Sequence, residues 1–375
     1  MEDLKRFHDE WGPEKILWVY DPETEMNGVL VIDNTTFGPA KGGIEMVSTV
    51  NLADLLRSAR AMTWKCAIYD VFFGGAKASI IADPKMISKE RKIALVKSFA
   101  MSIRHLSPAL YVAGPGLNIG EEEMAVYAMT NGSLRSCTGK PPEMNVRPGE
   151  KCNIPPEHVS TCYGVFQALI IASEYSDISL DDAKIAIEGF GKIGSELTRY
   201  LSEFGVRVVA VSDSKGCVFN PRGLEYELLR KIKIETGSVV NYEPGEALSH
   251  EEIFRIPVDV LIPASVPEVI TIKNVNDVKA KLIVEAAENP LSIEAEKKLG
   301  EKGVLIIPDI LANAGGTISS YLEYSGENIP GILQKIKYLI RNMIESLLDE
   351  SERKGTTLRE SAVELAKEKI IKKKS

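Results

Sequence analysis

Gly189-Phe190-Gly191-Lys192-Ile193-Gly194 decides how this chain folds, because it directly follows the apolar run Ala183 to Glu188 and opens a helical pattern reaching Phe204. Glycines at these three places make a tight turn, let backbone N–H groups approach a ligand, and let helix pack on strand. A second apolar run, Val206 to Val211, leads to Asp213, whose carboxylate can accept from a ribose hydroxyl. A lone Gly-x-Gly-x-x-Gly is a weak signal. Strand, turn, helix, strand and acid in this order make a dinucleotide fingerprint, with the pyrophosphate expected at the helix N-terminus. Asp213 favours NAD through the 2′-hydroxyl, whereas Lys215 could meet a 2′-phosphate, so NAD or NADP is expected, with a lean to NAD.

Downstream, Val258 to Ala264, Leu282 to Ala286 and Val304 to Pro308 read as further strands, and the chain beyond Ala312 as mostly helical. Continuous apolar runs such as Val206 to Val211 suit a parallel sheet covered on both faces, the doubly wound α/β architecture. Upstream, Val159 to Tyr175 is helical. The proline-rich stretch Gly139 to Pro156 reads as an extended connector, so a domain boundary is placed there. The expected division is residues 1–155, 156–325, and C-terminal helices 326–375 returning to the first domain.

In the first region, Gly28 to Asp33 and Gly43 to Val47 read as strands. Asn51 is an N-cap for a helix whose apolar positions Leu52, Leu55, Leu56, Ala59 and Met62 keep helical spacing and which ends near Lys65. Ala78 to Ala82 is expected as a strand with Lys77 at its entrance, Ser88 as the start of a helix to about Leu106, and Leu110 to Ala113 as a strand. The loop Gly114 to Gly120 then precedes a helix from Glu121. Three lysines stand out: Lys41 in Gly38-Pro39-Ala40-Lys41-Gly42-Gly43, Lys65 in Met62-Thr63-Trp64-Lys65, and Lys77 in Gly74-Gly75-Ala76-Lys77. Any one of them reads as a solvated surface cation. Two set among glycines and a third beside them suggest an anion-binding pocket.

Composition bounds the remainder. With 375 residues, 44% hydrophobic and 26% charged, the chain is long enough for two domains with real cores. A net charge of -8, with Lys372 to Lys374 as its only basic run, argues against a nucleic-acid surface. No apolar stretch approaches a membrane span and the N-terminus lacks a signal-peptide core, so a cytoplasmic location without membrane contact is expected. Five cysteines without paired spacing suggest free thiols, and four scattered histidines suggest no metal site.

Taken together these residues resemble the glutamate, leucine, phenylalanine and valine dehydrogenase family. The resemblance is carried by Gly38 to Gly43, Met62 to Lys65, Gly74 to Lys77, Lys140-Pro141-Pro142-Glu143, Thr161 to Val165, the glycine fingerprint, Asp259 to Ala264, and Ile307-Pro308-Asp309-Ile310-Leu311-Ala312-Asn313-Ala314-Gly315-Gly316. It implies NAD(P)-dependent oxidative deamination of an L-amino acid to a 2-oxo acid and ammonia. It places substrate binding and oligomerisation in the first domain and the Rossmann-type cofactor domain second. Lys65 would pair with the α-carboxylate and Lys77 would be the catalytic lysine. Lys41 and Ser320 fall where glutamate-specific members hold the γ-carboxylate, making glutamate the leading substrate. Cofactor contacts would come from Thr161, Gly189, Gly191, Lys192, Ile193, Gly194, Asp213 and Asn313. Such proteins are homo-oligomers, often hexamers.

The chain departs from the family pattern at several positions. Gly116 stands where the family places its proton-shuttling aspartate, so the acid–base help that such a group gives, ~10² to 10⁴-fold, is expected to be missing. Glu45 replaces an arginine and puts negative charge near the anion site, Ala78-Ser79 replaces two glycines, and Glu288 replaces a neutral residue near the cofactor. Three readings stay open: a glutamate-type dehydrogenase with a slow proton-transfer step, a non-catalytic regulatory or structural paralogue that retains both binding sites, and a dehydrogenase for another amino or oxo acid.

Overall fold

The computed structural model describes residues 8–145, 147–148, 150–328 and 330–374. The chain divides into two compact units. The first comprises the described parts of Met1–Glu157, Thr317–Ile332 and Val363–Ser375; the second comprises His158–Gly316 and Leu333–Ala362. The C-terminal helices expected to rejoin the first domain from residue 326 are thus shared between the two units.

In the first unit the order is β1 (Lys15–Asp21), β2 (Met26–Asn34), β3 (Ala40–Val47), α1 (Leu52–Ile68), β4 (Gly74–Ile81), α2 (Lys89–Ser102), β5 (Tyr111–Gly114) and α3 (Glu121–Asn131). Asn51 caps α1 by accepting from Ala53 N, and Ser88 caps α2 by accepting from Arg91 N, as their positions in the sequence predict. The five strands lie in the order β1-β2-β4-β3-β5. β1/β2 and β2/β4 are antiparallel and β3/β4 and β3/β5 parallel, so the sheet is mixed.

Side-chain alternation gives this sheet two different faces. On one, Ala40, Ile44, Met46, Ala76, Ala78 and Ile80 pack with Phe99 of α2 and Tyr127 of α3 in a closed apolar core. Each large apolar side chain buried there contributes about 2 kcal/mol. On the other, Val29 and Val31 meet Leu55, Leu56 and Ala59 of α1. That helix lies so close to β4 that a Cβ at Gly75 would overlap Thr63. Lys41 and Lys77 belong to this second face by alternation from Ala40 and Ala76. Lys77 is four residues into β4, well inside the strand rather than at its entrance, because pairing with β2 starts at Gly75.

In the second unit, α4 (Glu157–Tyr175) precedes β6 (Ile185–Glu188), α5 (Lys192–Glu203), β7 (Val208–Asp213), β8 (Gly216–Phe219), α6 (Tyr226–Thr236), β9 (Glu246–Leu248) and β10 (Val260–Pro263). Then follow β11 (Leu282–Val284), α7 (Ile293–Glu301), β12 (Leu305–Ile307), α8 (Asp309–Ala312), α9 (Gly315–Ser325), α10 (Ile332–Lys354) and α11 (Leu358–Lys374), of which α9 and α11 pass into segments of the first unit. The seven strands run β12-β11-β10-β6-β7-β8-β9. The first five are mutually parallel, which is the doubly wound arrangement. β8 and β9 extend the sheet as antiparallel edge strands that the sequence pattern does not reveal. Each is short and follows a turn, without the long apolar run of the central strands.

Candidate functional site

The glycine fingerprint forms the connection between β6 and α5. Gly189 has φ +99°, and a Cβ there would approach Ser265 to 2.7 Å. Gly191 is the N-cap of α5 and a Cβ on it would meet nothing within 4 Å, which leaves the backbone open to a ligand. A Cβ at Gly194 would overlap the Gly189 carbonyl, so helix and turn are pressed together. Lys192 is exposed and Ile193 half-buried on the first turn. These are the three physical roles expected of a pyrophosphate turn, and the residues present fit a dinucleotide.

Asn313 gives a second sign of fit. Its Nδ2 donates to the carbonyls of Ala286 (3.2 Å) and Ala287 (3.3 Å), which fixes the amide, while its buried Oδ1 has no partner among the described residues. A buried acceptor held in place and left unsatisfied is suited to an amide donor from a ligand. Thr161, half-buried, lies on α4 in the same unit.

Asp213, at the end of β7, is already heavily used. Its carboxylate accepts from Lys215 N (2.8 Å), Lys233 Nζ (2.7 Å), Val239 N (2.8 Å) and Ser238 Oγ (3.1 Å). Burial alone would raise its pKa, but Lys233 and the two backbone donors outweigh burial and hold the carboxyl below its ordinary value. A ribose hydroxyl would share this carboxylate with the turn after α6. Just before the fingerprint, Glu188 is fully buried and accepts from Ser265 Oγ at 2.5 Å, with His250 Nε2 at 3.1 Å. That bond to Glu188 raises the imidazole pKa against its partial burial.

The three lysines lie in the first unit. Lys65, in the last turn of α1, is 3% exposed, and its ammonium has no hydrogen-bond or ion-pair partner among the described residues. Cys66 ties it to Lys41. Burial pushes that thiol up to about 12, while the charges of Lys65 and then Lys41 act against the rise. Lys41 and Lys77 each have a carboxylate. Lys77 Nζ is 3.9 Å from Glu45 Oε2, and Ser79 Oγ donates to Glu45 Oε1 at 2.5 Å. The parallel register Glu45↔Ser79 places Glu45 diagonally across from Lys77 on the same sheet face. Lys41 Nζ is 4.0 Å from Glu157 Oε2, and the same oxygen accepts from Ser320 Oγ at 2.6 Å. Ser320 in turn takes a bond from Thr138 Oγ1 at 3.2 Å. Beside it Lys140 and Glu323 form an enclosed ion pair, with Glu323 also accepting from Gly139 N at 2.8 Å.

The sequence thus names Lys41 and Ser320, and the fold brings both onto one carboxylate, that of Glu157. The sequence reading misses Glu157, Thr138 and the Lys140–Glu323 pair. Glu157 and Ser320 are 163 residues apart and share no motif.

Gly116 occupies a loop closed by Ile119 N donating to Gly116 O at 3.1 Å and by Met46 N donating to Leu117 O at 2.9 Å. A Cβ at Gly116 would come within 2.5 Å of the Ile44 carbonyl. Asn118, at φ +62°, donates its Nδ2 to Met46 O at 2.9 Å. Glu122 and Glu123 pair with Lys89 and Lys92, and Glu123 also accepts from Gly120 N. Asn118, Glu122 and Glu123 therefore hold the loop and helix together.

Comparison with known proteins is consistent with both units. A family model described as Glutamate/Leucine/Phenylalanine/Valine dehydrogenase matches residues 155–375, and one described as Glu/Leu/Phe/Val dehydrogenase, dimerisation domain, matches 13–132. The glutamate dehydrogenase of Aeropyrum pernix is 34% identical over 84% of this chain and 76% of its own. That of Thermotoga maritima is 33% identical over 92% and 84%. Among solved structures, the hetero-hexameric glutamate dehydrogenase from Thermus thermophilus in its Leu-bound form superposes with a TM-score of 0.86 at 28% identity, covering 96% of this chain and 89% of that one. L-tryptophan dehydrogenase from Nostoc punctiforme gives 0.68 at 25% identity, covering 100% and 99%.

Proposed function

Because the chain belongs to the glutamate/leucine/phenylalanine/valine dehydrogenase family, whose relatives include NAD-specific and NADP-specific glutamate dehydrogenases, we propose that it catalyses NAD(P)-dependent oxidative deamination of an L-amino acid. The observation that carries this reading is Lys65, a buried ammonium without a counter-ion among the described residues, in the same unit as Lys77. An ionised amine buried alone is costly, and an α-carboxylate would relieve that cost.

The turn at Gly189, Gly191 and Gly194 would hold the pyrophosphate, and Asp213, Thr161 and Asn313 would contact the rest of the dinucleotide, whose nicotinamide would supply the acceptor for the hydride of the substrate Cα. Lys65 pairs with the α-carboxylate and so orients that carbon. Lys77 polarises the carbonyl or activates the water that attacks the iminium. With Gly116 unable to move a proton, Glu45, a carboxylate 3.9 Å from Lys77 Nζ, serves as the proton relay.

Lys41 and Ser320 support glutamate as a substrate, on the condition that its γ-carboxylate can take the place of Glu157. The matched dimerisation domain and the hetero-hexameric relative support assembly into an oligomer, a hexamer among the options. A second reading, a non-catalytic paralogue that binds both ligands, is favoured by Gly116 and by the way its loop closes over Ile44.

The direct test mixes purified protein with NAD or NADP and a panel of L-amino acids, and separately with 2-oxo acids, ammonia and reduced cofactor, following nicotinamide absorbance. Turnover above blank is expected. Intact cofactor binding without turnover for any substrate would favour the second reading.

A further inference from the structure

Lys41 and Ser320, which both meet the Glu157 carboxylate, are almost wholly enclosed. Lys41 has 3% of its side chain exposed and Ser320 is 2% exposed. Glu157, at the first turn of α4, keeps 27% of its side chain exposed and reaches in from the rim. Its Oε2 receives the Ser320 hydroxyl at 2.6 Å and lies 4.0 Å from Lys41 Nζ, and among the described residues Lys41 has no other ion pair. The Thr138 hydroxyl behind Ser320 is spent on the Ser320 oxygen, which leaves the Ser320 proton directed at Glu157. A hydroxyl and a buried ammonium aimed at one carboxylate oxygen make an anion subsite, and this chain fills the subsite with its own side chain.

We infer that Glu157 sets the substrate class: the subsite between Lys41 and Ser320 is neutralised by the Glu157 carboxylate, so the protein selects L-amino acids with uncharged side chains over dicarboxylic ones. This rests on the amino-acid dehydrogenase reading and reverses the preference that Lys41 and Ser320 alone suggest. A substrate γ-carboxylate entering the subsite must either displace Glu157 or share Lys41 with it. Two carboxylates sharing one cation repel, which weakens the binding of the second. A side-chain amide of the same size carries no charge, and its carbonyl or NH₂ can bond to Ser320 or Glu157 without that repulsion. The contrast between glutamate and glutamine therefore isolates charge from shape.

The test compares binding of L-glutamate and L-glutamine by isothermal titration calorimetry in the presence of reduced cofactor, and their kcat/KM where turnover is seen, for the native protein, Glu157→Gln and Glu157→Asp. The native protein is expected to favour glutamine at least tenfold. Glu157→Gln should bring the ratio to unity or invert it, through tighter glutamate binding. Glu157→Asp, which keeps the acid but withdraws it from Ser320 by one methylene, should move the ratio part of the way and guards against misfolding of the first variant; circular dichroism reports the fold of each. Glutamate favoured by the native protein, a ratio unchanged by both variants, or no binding of either amino acid would overturn the assignment. Calorimetry needs no turnover, so absent catalysis with the binding ratio intact would count against the dehydrogenase reading alone.

Discussion

Glu45 Oε2 lies 3.9 Å from Lys77 Nζ, held there by the Ser79 hydroxyl on the neighbouring strand. It puts a carboxylate within ion-pair reach of Lys77, where Gly116 has no side chain to offer. Glu45→Gln keeps the shape and the bond to Ser79 but removes the proton acceptor. It should lower kcat by ~10²-fold and leave KM within a few-fold. An unchanged kcat in steady-state kinetics would leave Glu45 a purely structural residue.

Restoring the family's aspartate should fail. In Gly116→Asp the new Cβ would approach the Ile44 carbonyl to 2.5 Å, and the loop must shift against its bonds to β3. The expected cost is about 1 to 3 kcal/mol, with no gain in kcat. Urea unfolding and initial rates check both parts; a faster variant of native stability would show the loop to be more yielding than its packing suggests.

Lys65→Met should separate binding from folding. The ammonium is buried without a counter-ion among the described residues, so an apolar chain of similar length is expected to leave the protein as stable, or up to about 2 kcal/mol more stable. Affinity for any amino acid should fall by ~10²-fold or more through loss of the α-carboxylate contact. Melting temperature and calorimetric titration report the two effects. A large loss of stability would mean that Lys65 is structural.

Gly191→Ala offers a clean probe of the dinucleotide turn. A Cβ there meets no protein atom within 4 Å, so the fold should be unaffected. It does occupy space beside the N-terminus of α5, and NADH and NADPH binding, followed by fluorescence, should weaken at least tenfold. Undiminished binding would place the pyrophosphate elsewhere.

His250 and Glu188 predict a pH dependence in the second unit. The carboxylate partner raises the imidazole pKa above 6.5. The stabilisation is therefore fully present below about pH 6.5 and is lost as pH rises through the folded-state value. Native protein should lose melting temperature over that interval relative to His250→Gln, measured by calorimetry from pH 6 to 8.5. Parallel curves for the two proteins would remove the linkage.

What the sequence determined by itself is local. The glycine fingerprint, the caps at Asn51 and Ser88, the apolar stripe of α1 and the continuous central strands each depend on residues within a few positions of one another, so turn chemistry and periodicity reveal them. The ordered motifs around Lys41, Lys65 and Lys77 marked one half of the candidate site in the same way, and Glu45 was visible as a misplaced charge. Tertiary structure alone decided what those groups face. Glu157 meets Ser320 across 163 residues, Glu45 meets Lys77 through the register of two parallel strands, and Gly116 is closed off by a carbonyl of β3. β8 owes its place to pairing with β7, and β9 to pairing with β8, rather than to a pattern of their own. Side-chain type can be read along a chain, but which charges neutralise one another depends on distances that only the packed fold sets.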